Sequence, residues 1–175
     1  MKKLALQELN RLSIDEFKAT KKHPFVVVMD NVRSMNNVGS AFRTCDAFAS
    51  QKLYLTGITA TPPHREINKT AIGAQDSVDW EYAENTADLL RTLKADGYKI
   101  AIIEQIDTSV KLNDFKPLPE EKYAFVFGNE VFGVDEEALP LADVALEIPQ
   151  FGTKHSLNVS VCIGVITWDF ISKII

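Results

Sequence analysis

Apolar positions along this chain follow two rhythms. Phe25-Val26-Val27-Val28-Met29, Leu53-Tyr54-Leu55 and Tyr123-Ala124-Phe125-Val126-Phe127 are short continuous runs rich in β-branched and aromatic residues. Such runs read as strands buried on both faces. Between them, apolar residues recur at helical spacing, most clearly from Thr86 to Ala95, a segment closed by Gly97. In chain order, the pattern predicts one or two short helices within residues 3–22. Leu4, Leu6, Leu9 and Leu12 mark their spacing, and Ser13-Ile14-Asp15-Glu16 has the form of a capping box. Then come a strand at 25–30, a helix from about Asn37 to Ala49, and a strand from Lys52 to Thr56. A Pro- and Thr-containing loop runs from Thr59 to His64, followed by a short helix over Ile67–Ala74 and a strand over Ser77–Tyr82. After the Thr86–Ala95 helix, a strand is expected at Lys99–Glu104, a loop at 107–121 and a strand at Tyr123–Phe127. A short helix begins at Asp135, a strand spans Val144–Ile148, and a long helix starts near Ser156.

Strands alternating with helices predict an α/β fold, a mostly parallel sheet with helices on both faces. Pro24 marks off an N-terminal helical extension (residues 1–24) from the main body (25–175), the whole expected to form a single compact domain. The last helix is apolar nearly all round, through Val159, Val161, Ile163, Val165, Ile166, Trp168 and Phe170. It is expected to be buried against the sheet or against another subunit.

Composition narrows the class. Of 175 residues, 46% are apolar and 25% charged, as in an ordinary globular domain with a real core. The net charge of −5 is uneven: residues 1–70 carry 11 Lys/Arg against 6 Asp/Glu, and residues 71–175 carry 8 against 18. The basic third suits an anionic partner such as RNA, although Lys18, Lys21 and Lys22 equally suit a solvated helix end. Cys45 and Cys162 form no CxxC pair, which fits a reducing, cytoplasmic setting with both thiols packed as small hydrophobes. No secretory leader or membrane span is expected.

Several chemistries are excluded by what the chain lacks. It has no G-x-G-x-x-G, and Val134 stands where a Walker lysine belongs. His23, His64 and His155 lack metal-ligand spacing, so no metal is expected. What remains are three segments at the ends of apolar runs, where ligands sit in open α/β sheets. Asn37-Val38-Gly39 with Arg43 is the first. Asn37 suits an N-cap, Gly39 a close backbone approach, and Arg43 a rim position or a local pairing with Asp46. Gly128-Asn129-Glu130 with Gly133 is the second. A carboxylate directly after a buried strand either needs a partner, for which Arg43 is the obvious candidate, or sits in a solvated turn. Ile148-Pro149 with Gly152 and Ser156-Leu157-Asn158 is the third. Ser156 suits a helix cap, while Asn158, inside an apolar helix, needs hydrogen-bond partners.

Taken in order, the three segments resemble motifs 1, 2 and 3 of the SpoU/TrmH family of RNA ribose 2′-O-methyltransferases, in the SPOUT superfamily. Asn37-Val38-Gly39 with Arg43-Thr44, Gly128-Asn129-Glu130 with Gly133-Val134, and Ile148-Pro149, Gly152 and Ser156-Leu157-Asn158-Val159-Ser160 carry the resemblance. Gln150 departs from it, standing where the family usually has methionine. The resemblance implies a C-terminal deep trefoil knot, S-adenosylmethionine as methyl donor, a homodimer, and an RNA substrate, tRNA first and rRNA second. It implies Arg43 as the main catalytic residue, with Asn37, Glu130, Ser156 and Asn158 orienting it and the ribose. Ile103, Gly128, Asn129, Ile148, Gly152, Ser156 and Leu157 would hold the cofactor. The basic residues Lys18, Lys21, Lys22, Arg33 and Arg65 are the expected RNA contacts. A base-modifying methyltransferase of the same superfamily, and a non-catalytic RNA-binding module, are the alternative readings.

Overall fold

The computed structural model describes the backbone of residues 1–175 and all side chains except those of Leu6 and Gln7. The expected stripe through Leu6 therefore lies partly outside the described side chains. The chain folds as α1 (Ile14–Ala19), β1 (Phe25–Asp30), α2 (Met35–Ala47), β2 (Lys52–Thr56), α3 (Arg65–Ala71), α4 (Ala74–Ser77) and β3 (Trp80–Ala83). It continues as α5 (Thr86–Ala95), β4 (Tyr98–Ile103), β5 (Val110–Lys111), β6 (Lys122–Phe127), β7 (Val144–Glu147) and α6 (Val159–Ile174). Short 3₁₀ turns cover Leu6–Leu9, Leu112–Asp114 and Leu139–Leu141.

The seven strands form one sheet in the order β3-β2-β1-β6-β4-β7-β5. Every pairing is parallel, with Val26 opposite Lys52, Phe25 opposite Tyr123, and Ile103 opposite both Phe127 and Leu146. All six residues of β1 are buried, as a central strand covered on both sides requires. The period-2 alternation divides the core. Phe25, Val27, Met29, Phe125 and Phe127 face α2 and α6, while Val26, Val28, Ala124 and Val126 face α5 through Leu89, Leu90 and Leu93. Phe170 of α6 meets Phe125, Tyr123 and Phe25 at ring separations of 5.2, 5.4 and 5.6 Å, which clamps the last helix to the sheet.

Several boundaries differ from the sequence expectation. α2 starts two residues before Asn37 because Ser34 caps it, its Oγ accepting from the Asn37 N–H. No helix starts at Asp135. Its backbone N–H is taken by the buried carboxylate of Asp30 at 2.7 Å, and only the 3₁₀ turn follows. The last helix starts at Val159, with Asn158 rather than Ser156 as its cap. Ser77 closes α4 instead of opening a strand, and the 107–121 segment contributes the two-residue edge strand β5. α6 is not buried all round: Ile163, Ile166 and Phe170 are buried, but Val161, Val165 and Trp168 are exposed. The capping box at Ser13 and Glu16 forms as read, with the Ser13 N–H donating to the Glu16 carboxylate at 2.8 Å.

Candidate active site

β4, β6 and β7 end side by side, and beyond their carboxyl ends lies a cleft of about 410 Å³. Its position follows the rule for open parallel sheets, and its size suits a small-molecule or cofactor site. Apolar walls come from Ile103, Leu146, Ile148 and Leu157. Polar groups come from Asn129, Ser156 and three carboxylates, Glu104, Glu130 and Glu147. Among the described residues, no lysine, arginine or histidine lines it.

One wall is a tight turn. Asn129 and Gly133 exchange both backbone hydrogen bonds, at 2.9 and 3.0 Å, and leave only Glu130, Val131 and Phe132 in the loop. Gly133 sits at a φ of +74°, and a Cβ there would run into the Glu104 carboxylate. A Cβ on Gly128 would strike the backbone of Gly133 and Val134. Both positions therefore require glycine. The Asn129 side chain holds the turn from within: its Oδ1 accepts from the N–H groups of Val131 and Phe132 at 2.8 and 3.1 Å. Its Nδ2 donates to the Asn31 carbonyl at 2.7 Å.

This turn aims Glu130 at the start of α2. Its carboxylate accepts from the Arg33 N–H at 2.9 Å, the Ser34 N–H at 3.1 Å and the Asn37 Nδ2 at 3.0 Å. An anion at a helix N-terminus is favourably placed. Partial burial pushes the Glu130 carboxyl upward. The N–H groups of Arg33 and of Glu130 itself, the Asn37 amide and the Ser34 N–H outweigh that and hold it below the usual glutamate value. Asn37, itself buried, passes the network on: its Oδ1 accepts from Asn158 Nδ2 at 3.2 Å. Asn158 Oδ1 in turn caps α6 through the Ser160 N–H at 2.9 Å. Glu130, Asn37 and Asn158 thus form one hydrogen-bonded chain across three distant segments, 93 and 121 residues apart in sequence.

Arg43 stands outside that chain. It is exposed on α2, forms no ion pair with Glu130 or Asp46 among the described residues, and does not line the cleft. The pairing with Glu130 expected from sequence is replaced by neutral N–H donors. Gly39 gives the expected close backbone approach, and it is to α3. A Cβ there would strike the Ile67 carbonyl and the Thr70 hydroxyl, so the glycine lets α2 pack against α3.

Ile103, Gly128, Asn129, Ile148, Ser156 and Leu157 all line the cleft. Gly152 does not; it is exposed, with open space where a Cβ would go. Of the basic residues, Lys18, Lys21, Arg33 and Arg65 are exposed. Lys22 is turned inward, its ammonium 3.3 Å from the centre of the Phe17 ring and donating to the Phe17 carbonyl. Glu104, Gln105, Glu147 and Cys162 also line the cleft and were missed from sequence. Glu104 and Glu147 carry the same signal that drew attention to Glu130, a carboxylate at the end of an apolar strand. Burial pushes the Cys162 thiol up to about 11 and Cys45 to about 12, so neither is a nucleophile at neutral pH.

Residues 24–168 match the model of the SpoU rRNA Methylase family. A tRNA (guanosine(18)-2′-O)-methyltransferase of Thermus thermophilus is 32% identical over 166 residues, spanning 93% of this chain and 81% of that protein. The crystal structure of the A. aeolicus TrmH/SpoU tRNA modifying enzyme superposes with a TM-score of 0.80 at 26% identity, covering 91% of this chain and 81% of that one. An AdoMet-bound rRNA methyltransferase from Sinorhizobium meliloti shares the fold at a TM-score of 0.81 and 24% identity, covering 91% of this chain and 60% of that one.

Proposed function

This chain belongs to the SpoU rRNA Methylase family, and we propose that it methylates a ribose 2′-hydroxyl of a folded RNA, tRNA first and rRNA second. The observation that carries this reading is the Glu130–Asn37–Asn158 chain beside the cleft, which joins all three motifs at the carboxyl end of the sheet. The lining fits S-adenosylmethionine. Ile103, Ile148 and Leu157 offer an apolar bed for an adenine ring, and three carboxylates with no basic side chain among the described lining residues suit a cationic sulfonium. When bound, that cofactor supplies an electrophilic methyl group.

The protein's own task is to position and to stabilise charge. A ribose hydroxyl is a poor nucleophile, so its oxygen must be aligned and its developing negative charge met. Arg43, exposed and unpaired among the described residues, is assigned to the RNA: it grips a phosphate and faces the developing alkoxide. A guanidinium stays protonated in proteins, so this role is electrostatic rather than that of a base. Asn37, Glu130 and Asn158 fix α2 and α6 relative to the turn and so fix the helix that carries Arg43. Asn129 and Ser156 complete the cleft wall. Lys18, Lys21, Arg33 and Arg65 are assigned to the RNA backbone, and contacts of that kind weaken with salt.

A homodimer belongs to the same proposal, supported by the exposed apolar row Val161, Val165 and Trp168 on α6. So does the knot, supported by β7 entering between β4 and β5 before the 148–158 segment. Among the described residues no helix is long and apolar enough to cross a membrane, and a cytoplasmic setting belongs to the same proposal.

The test is methyl transfer from labelled S-adenosylmethionine to unmodified tRNA and rRNA, followed by alkaline hydrolysis. A 2′-O-methyl blocks alkaline cleavage, so label is expected in an alkali-resistant dinucleotide. Label in mononucleotides would instead mark base methylation. Cofactor binding without transfer to either RNA would mark a binding module.

A further inference from the structure

The Gly128–Gly133 turn separates two hollows. Val131 lines the cofactor cleft, and Phe132 points to the other side, into a recess of about 780 Å³. The two hollows share Asn129 and Gly133 as a common wall. Phe132 is 83% exposed, and Ile58, which lines the same recess, is 67% exposed. Two large apolar side chains held in water around one recess need a reason, because the turn could have carried polar residues at no cost to its geometry.

The recess is built in advance. Asn31 ties its parts together: its carbonyl accepts from Asn129 Nδ2 at 2.7 Å and its Oδ1 from the Ile58 N–H at 3.1 Å. The loops after β1 and β2 and the turn after β6 are thereby fixed to one residue. The Phe132 N–H is held by Asn129 Oδ1, so the ring projects from a rigid support. The rim carries one cation, Arg33, against three carboxylates, Asp135, Glu136 and Glu137. That excess of carboxylates keeps a phosphate out of the recess, while Arg33 on its rim can meet the RNA backbone outside. The recess accepts an uncharged, flat, partly apolar group whose edge offers N–H donors.

We propose that this recess receives the nucleobase of the nucleotide being methylated, unstacked from its RNA and laid on the Phe132 ring. Bases splayed from single-stranded or looped RNA are commonly held by aromatic stacking and by hydrogen bonds to their edges. The shared wall places such a base next to the cleft that holds the methyl donor, as a ribose and its own base must lie. Arg33 and Ile58 line the same recess, and the Asp135–Glu137 carboxylates on its rim would meet the base edge. This inference rests on the RNA-methylation reading and adds the place where the substrate's base is read.

The test compares wild type, Phe132→Ala and Phe132→Trp with the mapped RNA acceptor and labelled S-adenosylmethionine, alongside calorimetric cofactor binding. Phe132→Ala is expected to lower kcat/KM for RNA by about one to two orders of magnitude, the size of one lost stacking contact. Phe132→Trp should restore it, and cofactor affinity should not change. On an acceptor made abasic at the methylated nucleotide, Phe132→Ala and wild type should become equal. Unchanged kcat/KM in Phe132→Ala would overturn the inference while leaving RNA methylation standing. So would an alanine defect that persists on the abasic acceptor, since Phe132 would then act elsewhere. A wild-type protein that binds cofactor but methylates no RNA would remove the underlying reading and this inference with it.

Discussion

On one face of α2, Asn37 is buried and bonded at both ends of its amide, to Glu130 and to Asn158. Six residues on, about 120° around the helix, Arg43 is exposed and touches no acid among the described residues. One helix therefore carries a position satisfied by the chain itself and another with no acidic partner among the described residues. The difference separates two kinds of polar residue that look alike in a motif. Asn37 is held by the fold, and Arg43 is the position that the proposed function assigns to the RNA.

The largest expected effect comes from removing the unsatisfied position. Arg43→Ala should lower kcat by at least about 10²-fold, the scale of losing one charge-stabilising group, with cofactor affinity and melting temperature unchanged. Arg43→Lys should recover little, because lysine lacks the planar fork. Single-turnover methyl transfer with calorimetry in parallel measures both. A fall in melting temperature for Arg43→Ala would show that the arginine is part of the built site, and the contrast on α2 would collapse. The matching change on the satisfied face is Glu130→Gln. It keeps the shape and removes the charge that accepts from Arg33, Ser34 and Asn37. Hydrogen bonds to a charged acceptor contribute about 1.5–3 kcal/mol when shielded and less in this half-open position. A loss of roughly tenfold in kcat, accompanied by a small drop in stability, is expected.

Much of this division was hidden in the sequence for physical reasons. β1, β2, β6 and α5 were legible because continuous β-branched runs and one amphipathic stripe are local signals. The three polar segments were legible because glycines and amides at strand ends are local too. The start of α2 was not. Ser34 and Asn37 both make good caps, and the choice was settled by Glu130, 93 residues away, which draws the Asn37 amide out of the capping role. The absent helix at Asp135 has the same origin, since its N–H is claimed by Asp30 across 105 residues. β5 is two residues long and exists only through its pairing with β7. The partner of Glu130 was misassigned because charge suggested an arginine where geometry supplied N–H groups.

Gly39 sharpens the same point at a smaller scale. The sequence called for a close backbone approach at this glycine without saying to what; its missing side chain makes room for the Ile67 carbonyl and Thr70 of α3. Gly39→Ala should act on folding, costing about 1–3 kcal/mol from overpacking. For a chain of this size that lowers the melting temperature by several degrees, with kcat per folded molecule preserved. Loss of kcat at an unchanged melting temperature would instead place Gly39 at the ligand.

The smallest effect is the one that pH should produce through Glu130. Burial is the largest single influence on its carboxyl and acts upward. The N–H groups of Arg33 and Glu130, the Asn37 amide and the Ser34 N–H act downward and prevail. Its folded pKa therefore lies below the unfolded value of about 4.3. A depressed carboxyl contributes stability above the unfolded value and loses it as pH falls through the folded one. The stability gap between wild type and Glu130→Gln, measured by urea unfolding, should stay constant from pH 8 to about 5 and close only below about pH 4. A gap that narrows between pH 7 and 6 would mean that burial has won over the four donors. The chain from Glu130 through Asn37 to Asn158 would then be held by a proton rather than by a charge.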